Sequence, residues 1–315
     1  MNAPPDMAAA RWGHAAMTRV FVPLAARCHA GGHSRRRGLF PERAKTHGCC
    51  AAVAPGRRSG GPAVGVRILH PVPYQVIQRD AATVRGRGGA AGHRPGSAPV
   101  PLALGQAGPW QWRAVPLAGA FGAGTDWAAV ETTDGPGRVT ATITVPAGGW
   151  FRLEVRRPGA AGVAAVVEPL GVGELFLVAG QSYAENCNDE RLCVQEPHGR
   201  VVALDLAKGA WAVAHDPQPD VASSYRDGSI WPACGDDLVR ALGVPVGFVN
   251  VAKAATASKQ WLPGGPLHAN LVRAAKALGR FRAVLWQQGE SDVIARTTEE
   301  APSASAGPAR CGPSA

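Results

Sequence analysis

No run of about 18 consecutive apolar residues occurs in the sequence, so a transmembrane helix is not expected. Charged residues are few, 18% against 46% hydrophobic, which excludes general disorder and favours a globular core. An even cysteine count is also missing: with seven, at least one thiol cannot pair within the chain. Cys28, Cys49, Cys50 and Cys311 lie near the ends, whereas Cys187 and Cys193 are close enough in sequence to bridge in an oxidising compartment. Phe21-Val22-Pro23-Leu24-Ala25-Ala26 is too short and too badly flanked for a signal peptide, which leaves the compartment open. What is abundant is Gly (40) and Pro (27), a composition that favours turns over long helices.

The net charge of +10 belongs mostly to one end. Residues 1–60 hold ten Lys and Arg against Asp6 and Glu42, which places +8 there and leaves +2 for residues 61–315. The body is nearly neutral and suits a small or uncharged substrate. Residues 1–65 have no sustained period of 2 or 3.6 and are read as a disordered basic leader, or as non-native sequence from a misassigned start. A nucleic-acid arm at Arg35-Arg36-Arg37 is not favoured, because no aromatics interleave with the basic residues. The Cys and His residues of the leader match no standard zinc spacing, and neither metal nor other cofactor is expected.

At roughly 150 residues per domain the length allows two. Residues 66–168 carry short alternating runs between turn signals. Val139 to Val145 alternates with a β-branched bias, and Trp150 to Val155 follows Pro146-Ala147-Gly148-Gly149. This spacing predicts a small β-sandwich-like accessory domain. From 169 to 295 the rhythm becomes strand, loop and helix, the pattern of a parallel sheet with covering helices. Leu175 to Ala179 reads as a buried strand, and Val246 to Val251 and Ala283 to Trp286 as the next two strands. Helices over Leu238–Leu242 and Leu271–Leu278 end at Gly243 and Gly279. Residues 296–315 are patternless and read as a disordered tail.

Open parallel sheets bind ligands outside the carboxyl ends of their strands. Gly180-Gln181-Ser182, Ala254-Ala255-Thr256 and Gln287-Gln288-Gly289-Glu290 all fall at that edge. A serine there can expose its hydroxyl beside backbone amides able to stabilise an oxyanion. Taken alone, Gly180-Gln181-Ser182 is better read as a strand followed by a helix capped by Ser182. A nucleotide fingerprint is excluded, because Gly171-Val172-Gly173 precedes the strand instead of following it.

The order of the pieces resembles the SGNH-hydrolase superfamily, in its sialate O-acetylesterase-like and acetylxylan-esterase-like branch. The residues that carry the resemblance are Gly173 to Ser182 and Trp286-Gln287-Gln288-Gly289-Glu290-Ser291-Asp292. Between them, Trp231 to Asp236 and Lys259 to Pro263 are similar to the family's linking segments. The resemblance implies an α/β fold: an incomplete three-layer flavodoxin-like parallel sheet of SGNH type, preceded by the β-sandwich-like domain. It implies a carbohydrate O-acetylesterase acting on acetylated sugars, with neither nucleic acid nor membrane as partner. Ser182 matches the nucleophile and, through its own N–H, one oxyanion donor. Gln288 matches a side-chain oxyanion donor, Ala255 a backbone donor, and Glu290 a carboxylate that orients a histidine or organises the site. Gln181 and Trp261 are the expected substrate contacts. Trp211 and Trp231 serve as well for packing as for a sugar site.

Three departures bear on activity. Tyr183 stands where the family has Asn, and Ala254 and Ala255 stand where Gly is usual, so a donor needing positive φ is strained. No Asp-x-x-His segment follows Asp292, and His198, His215 and His268 all precede the third block. A serine without a base is a weak nucleophile. The expectation is therefore a truncated or frameshifted member with little activity. The alternative is a non-catalytic carbohydrate-binding or degenerate family fragment.

Overall fold

A computed structural model describes residues 65–80, 96–131, 133–135, 137–219 and 227–294. All of these lie in the second of the two units into which the chain divides, Phe40–Ala315. The expected basic leader, but for residue 65, and the expected tail fall outside the described residues.

In chain order the strands begin with β1 (Ile68–His70), β2 (Val76–Gln78), β3 (Ser97–Leu104), β4 (Gln111–Phe121), β5 (Ala128–Ala129) and β6 (Thr133–Gly135). They continue with β7 (Arg138–Pro146), β8 (Gly148–Arg156), β9 (Ala165–Gly180), β10 (Val201–Asp205) and β11 (Ala210–Val213). Helix α1 (Trp231–Leu242), β12 (Val246–Asn250), α2 (Pro266–Leu278), β13 (Ala283–Gln287) and α3 (Glu290–Ile294) complete the order. The result is a mixed sheet with few helices, α/β in character.

Strands β1-β3-β7-β6 form an antiparallel sheet, and β3 alternates strictly enough to bury Ala98, Val100, Leu102 and Leu104 on one face. Those side chains share a core with Ile143 and Val145 of β7, Phe151, Leu153 and Val155 of β8, and Val167, Leu170 and Val172 of β9. Strand β9 is therefore common to this core and to the larger sheet. Its first half pairs antiparallel with β8, and its second half pairs parallel with β12 and β13. From Leu170 onward every β9 residue is buried, as expected for a strand covered on both faces. Phe176 and Val178 pack toward Trp231 and Val239 of α1, whereas Leu175, Leu177 and Ala179 pack toward Ala274 of α2 and toward Trp261, in the turn before it. The β10–β11 hairpin, at the other end of the parallel run, was not anticipated.

Glu174, 3% exposed, ties three elements together at the base of β9. It accepts from Arg79 Nε (2.7 Å) and Gln78 Nε2 (2.8 Å) next to β2, and from Arg282 Nε (2.6 Å) just before β13. Burial raises its pKa, but the hydrogen bonds from Arg282, Gln78 and Arg79 outweigh that and hold the carboxyl below its ordinary range. Cys187, Cys193 and Cys234 form no disulfide, so the 187–193 bridge allowed by sequence spacing is not made. Among the described residues no helix is long and apolar enough to cross a membrane, which says nothing of a β-barrel.

Candidate active site

Strands β9, β12 and β13 run in register, with Asn250 opposite Val178 and Gln287 opposite Gly180, so their carboxyl ends meet at one edge. The three polar blocks leave the sheet there. Gly180, at φ +118, turns the chain out of β9 while Gln181 N–H donates to Gln287 O at 2.8 Å. Ala184 and Glu185 N–H both return to Gln181 O at 3.0 Å, giving a single helical turn. No α-helix follows. Asn186 instead exchanges hydrogen bonds with the Gln218 backbone (2.9 and 2.7 Å), drawing the chain off the helical path. Ser182 is accordingly not a helix cap, and the helix expected to start at this point is replaced by this turn. Trp231 Nε1 and Asn250 Nδ2 both donate to Ala184 O, at 2.7 and 2.6 Å, anchoring the turn to α1 and β12.

Ser182 is half-buried at the outer side of this turn, and Tyr183 beside it is 50% exposed. The Ser182 hydroxyl accepts from Gln181 Nε2 at 3.3 Å. The same Gln181 side chain, 1% exposed, accepts through Oε1 from Gln288 Nε2 at 2.8 Å and from Ser291 N–H at 3.1 Å. Ser182 and Gln288 thus meet through one amide. Gln181, which the sequence suggests as a substrate contact, is buried here, and both ends of its amide are engaged inside the protein.

Gln288 Nε2 also donates to Thr256 O (2.6 Å) and Asp292 Oδ2 (2.8 Å), so two protons serve three internal acceptors, and its buried Oε1 has no partner among the described residues. The donor expected to face a substrate oxyanion is engaged in joining the three blocks. Asp292, 8% exposed, accepts through Oδ1 from Ser258 N–H and Oγ, both at 2.8 Å. On the opposite side Glu185, fully buried, accepts from Ala254 N–H and pairs with the Lys253 ammonium at 3.7 Å. Burial, and after it the Glu185 charge, raises the pKa of the neighbouring Cys187 thiol. Sequence reasoning gave Glu185 and Asp292 no role. Asp292 had a signal in its position four residues after Gln288, whereas Glu185 had none beyond its nearness to Ser182.

Between these contacts Ala255 adopts φ +58, the left-handed conformation its methyl disfavours, and is exposed. Among the described residues the N–H groups of Ser182 and Ala255 carry no hydrogen bond, and the Ser182 hydroxyl proton has no acceptor. Trp261 is 3% exposed, stacks edge-on with Trp286 (5.1 Å, 77°) and donates from Nε1 to Thr256 Oγ1 at 3.1 Å. Expected from the sequence to lie against a sugar, it supports the second block from within the core. Glu290 is exposed and accepts from Gln287 Nε2 (3.0 Å), apart from the contacts that join Ser182, Gln181 and Gln288. Of the histidines, His215 Nδ1 accepts from Val194 N–H at 3.0 Å, His198 is exposed in a loop, and His268 lies on α2. Among the described residues no group of three His, Cys, Asp or Glu side chains gathers as a metal site.

Residues 172–303 match the family model described as carbohydrate esterase, sialic acid-specific acetylesterase. No curated protein matches the chain. Among solved structures, a protein from Arabidopsis thaliana is 24% identical over 38% of this chain and 58% of that one, with a TM-score of 0.32. A carbohydrate acetylesterase from Xanthomonas citri is 19% identical over 70% of this chain and 50% of its own, with a TM-score of 0.38. The chain therefore spans between half and three fifths of the length of these two proteins.

Proposed function

We propose that this chain, whose residues 172–303 match the family model of sialic acid-specific acetylesterases among carbohydrate esterases, is a serine hydrolase that removes acetyl groups from sugar esters. The observation that carries the reading is the meeting of Ser182 and Gln288 on the Gln181 amide, with the unengaged N–H groups of Ser182 and Ala255 in the blocks that leave the same sheet edge. In this reading residues 169–295 are the esterase domain, a three-layer flavodoxin-like arrangement of SGNH type, and residues 66–168 frame it.

Ser182 Oγ attacks the acetyl carbonyl, and the N–H groups of Ser182 and Ala255 take up the charge that develops on its oxygen. Collapse of that adduct expels the sugar hydroxyl and leaves acetyl on Ser182; water then releases acetate and restores the serine. Attack needs an acceptor for the serine proton. The contact on Ser182 Oγ comes from the Gln181 NH2 group, a donor that cannot take it. Solvent water at the half-buried serine therefore takes the proton and returns one to the departing sugar oxygen, and slow turnover is part of the proposal. Glu290, exposed and held by Gln287, is the carboxylate in this reading that organises the third block from outside.

Hydrolysis of 4-nitrophenyl acetate and of an O-acetylated sialic acid tests the proposal. Release of acetate that Ser182→Ala abolishes is the expected result. Saccharide binding that survives Ser182→Ala, with no turnover by either protein, would overturn it in favour of a carbohydrate-binding fragment.

A further inference from the structure

Ala255 stands in a conformation its side chain opposes, yet it is the residue whose N–H the esterase reading needs aimed at the substrate. The cause of its geometry lies in its neighbours. Ala254 N–H, one residue before it, donates to the fully buried carboxylate of Glu185. Ser258 N–H and Oγ, three residues after it, donate to the buried carboxylate of Asp292, each at 2.8 Å. Glu185 comes from the nucleophile turn and Asp292 from the third block, so the 254–258 loop is held at both ends by the segments that flank it.

We infer that Glu185 and Asp292 are positioning residues, a pair of buried carboxylates that clamp the 254–258 loop and thereby set the direction of the Ala255 N–H. The inference rests on the acetylesterase reading and adds to it the device that builds the second oxyanion donor.

Three physical points support the clamp. Hydrogen bonds from a backbone N–H to a carboxylate are roughly twice as strong as neutral ones, and those here are sheltered from water. Two further polar contacts of the loop run in the same sense: Gln288 Nε2 holds Thr256 O at 2.6 Å, and Thr256 Oγ1 closes on Lys253 O at 2.6 Å. Glu185 also has its charge balanced, by the Lys253 ammonium of the loop it holds, so carboxylate and loop come as a unit. With residues 254 and 258 fixed, the left-handed turn at 255 is imposed on alanine by the closure of the loop and not by local preference.

The test compares Glu185→Leu, Glu185→Gln and Asp292→Ala with the parent chain, by hydrogen exchange of the 254–258 amides and by steady-state hydrolysis of 4-nitrophenyl acetate. Glu185→Gln keeps an oxygen to accept from Ala254 N–H. Exchange in the loop should quicken at least tenfold in Glu185→Leu and Asp292→Ala and stay within about threefold of the parent in Glu185→Gln. Because losing an oxyanion donor costs about 10²–10³ in kcat, misaiming one should lower kcat roughly ten- to a hundredfold with KM within about twofold, and Glu185→Gln should restore it. Unchanged loop exchange in Glu185→Leu overturns the inference. So does a kcat loss that Glu185→Gln fails to rescue while its loop exchange is normal. A parent chain that hydrolyses no ester ends the acetylesterase reading and with it the positioning role, and the exchange result then decides the clamp as a structural device alone.

Discussion

Substituting Gly180 by alanine probes the junction on which the site depends. Gly180 is the last residue of β9, at φ +118, and lies opposite Gln287 of β13. A Cβ there would sit 1.9 Å from Gln287 O, 2.7 Å from its carbonyl carbon and 2.9 Å from its nitrogen, all backbone that no side-chain rotation can clear. The same carbonyl receives Gln181 N–H, so moving it also moves the nucleophile turn. Backbone strain at a positive φ costs about 1–3 kcal/mol. Overpacking adds about 1–3 kcal/mol. Gly180→Ala should therefore lose roughly 2–6 kcal/mol, read as the urea midpoint at constant m by tryptophan fluorescence. Gly209→Ala separates the two contributions: Gly209 has φ +63 and nothing within 4 Å of its notional Cβ. It should cost only the left-handed penalty of about 1–2 kcal/mol. Equal losses in the two variants would refute the close-approach argument and, with it, the picture of β9 and β13 meeting at the site.

Ala255→Gly should stabilise the chain slightly, since relief of about 1–2 kcal/mol of left-handed strain exceeds the roughly 0.5–1 kcal/mol entropic cost of glycine. A fall in the denaturation midpoint would contradict the strain assigned to φ +58. Glu174→Gln removes the partner of two guanidiniums, one of them on the buried Arg79, and should cost about 3–5 kcal/mol because a buried charge is left uncompensated. The pH dependence has a defined sign. Because the folded pKa of Glu174 is lowered, its stabilisation is present above the ordinary carboxylate pKa of about 4.3 and is lost as pH falls through the folded value. Acid unfolding of the Gln variant, followed by circular dichroism, should lack that part of the slope below pH ~4, and an unchanged slope would show that Glu174 is not the group responsible.

Local pattern carried much of the fold. The β-branched alternation of Val139 to Val145 became β7, the run ending at Ala179 became the doubly covered end of β9, and α1 and α2 stop at Gly243 and Gly279 as their sequences suggest. The order of the three polar blocks on the parallel strands was equally legible, because each follows an apolar strand, buried in β9 and β12 and half-buried in β13, and strand ends share an edge. Less visible was the span of β9 across two cores, since no sequence window reports which neighbours a long strand will pair with. The β10–β11 hairpin was missed for a related reason: its strands are only 5 and 4 residues long and gain their burial from tertiary partners.

The roles of single side chains were decided almost wholly by packing. Residue type marked Gln181, Trp261 and Gln288 as polar or aromatic groups fit for a ligand, but burial turned the first two inward and surrounded the third with internal acceptors. A donor's partner depends on which group of distant sequence lies within about 3 Å, and that distance exists only once strands paired at separations of 72 and 107 residues are assembled. The sequence by itself determined which chemistry is present and at which strand ends it leaves the sheet. Tertiary structure alone decided that Glu185 and Asp292 close on the 254–258 loop, because buried carboxylates must find N–H partners wherever the fold supplies them.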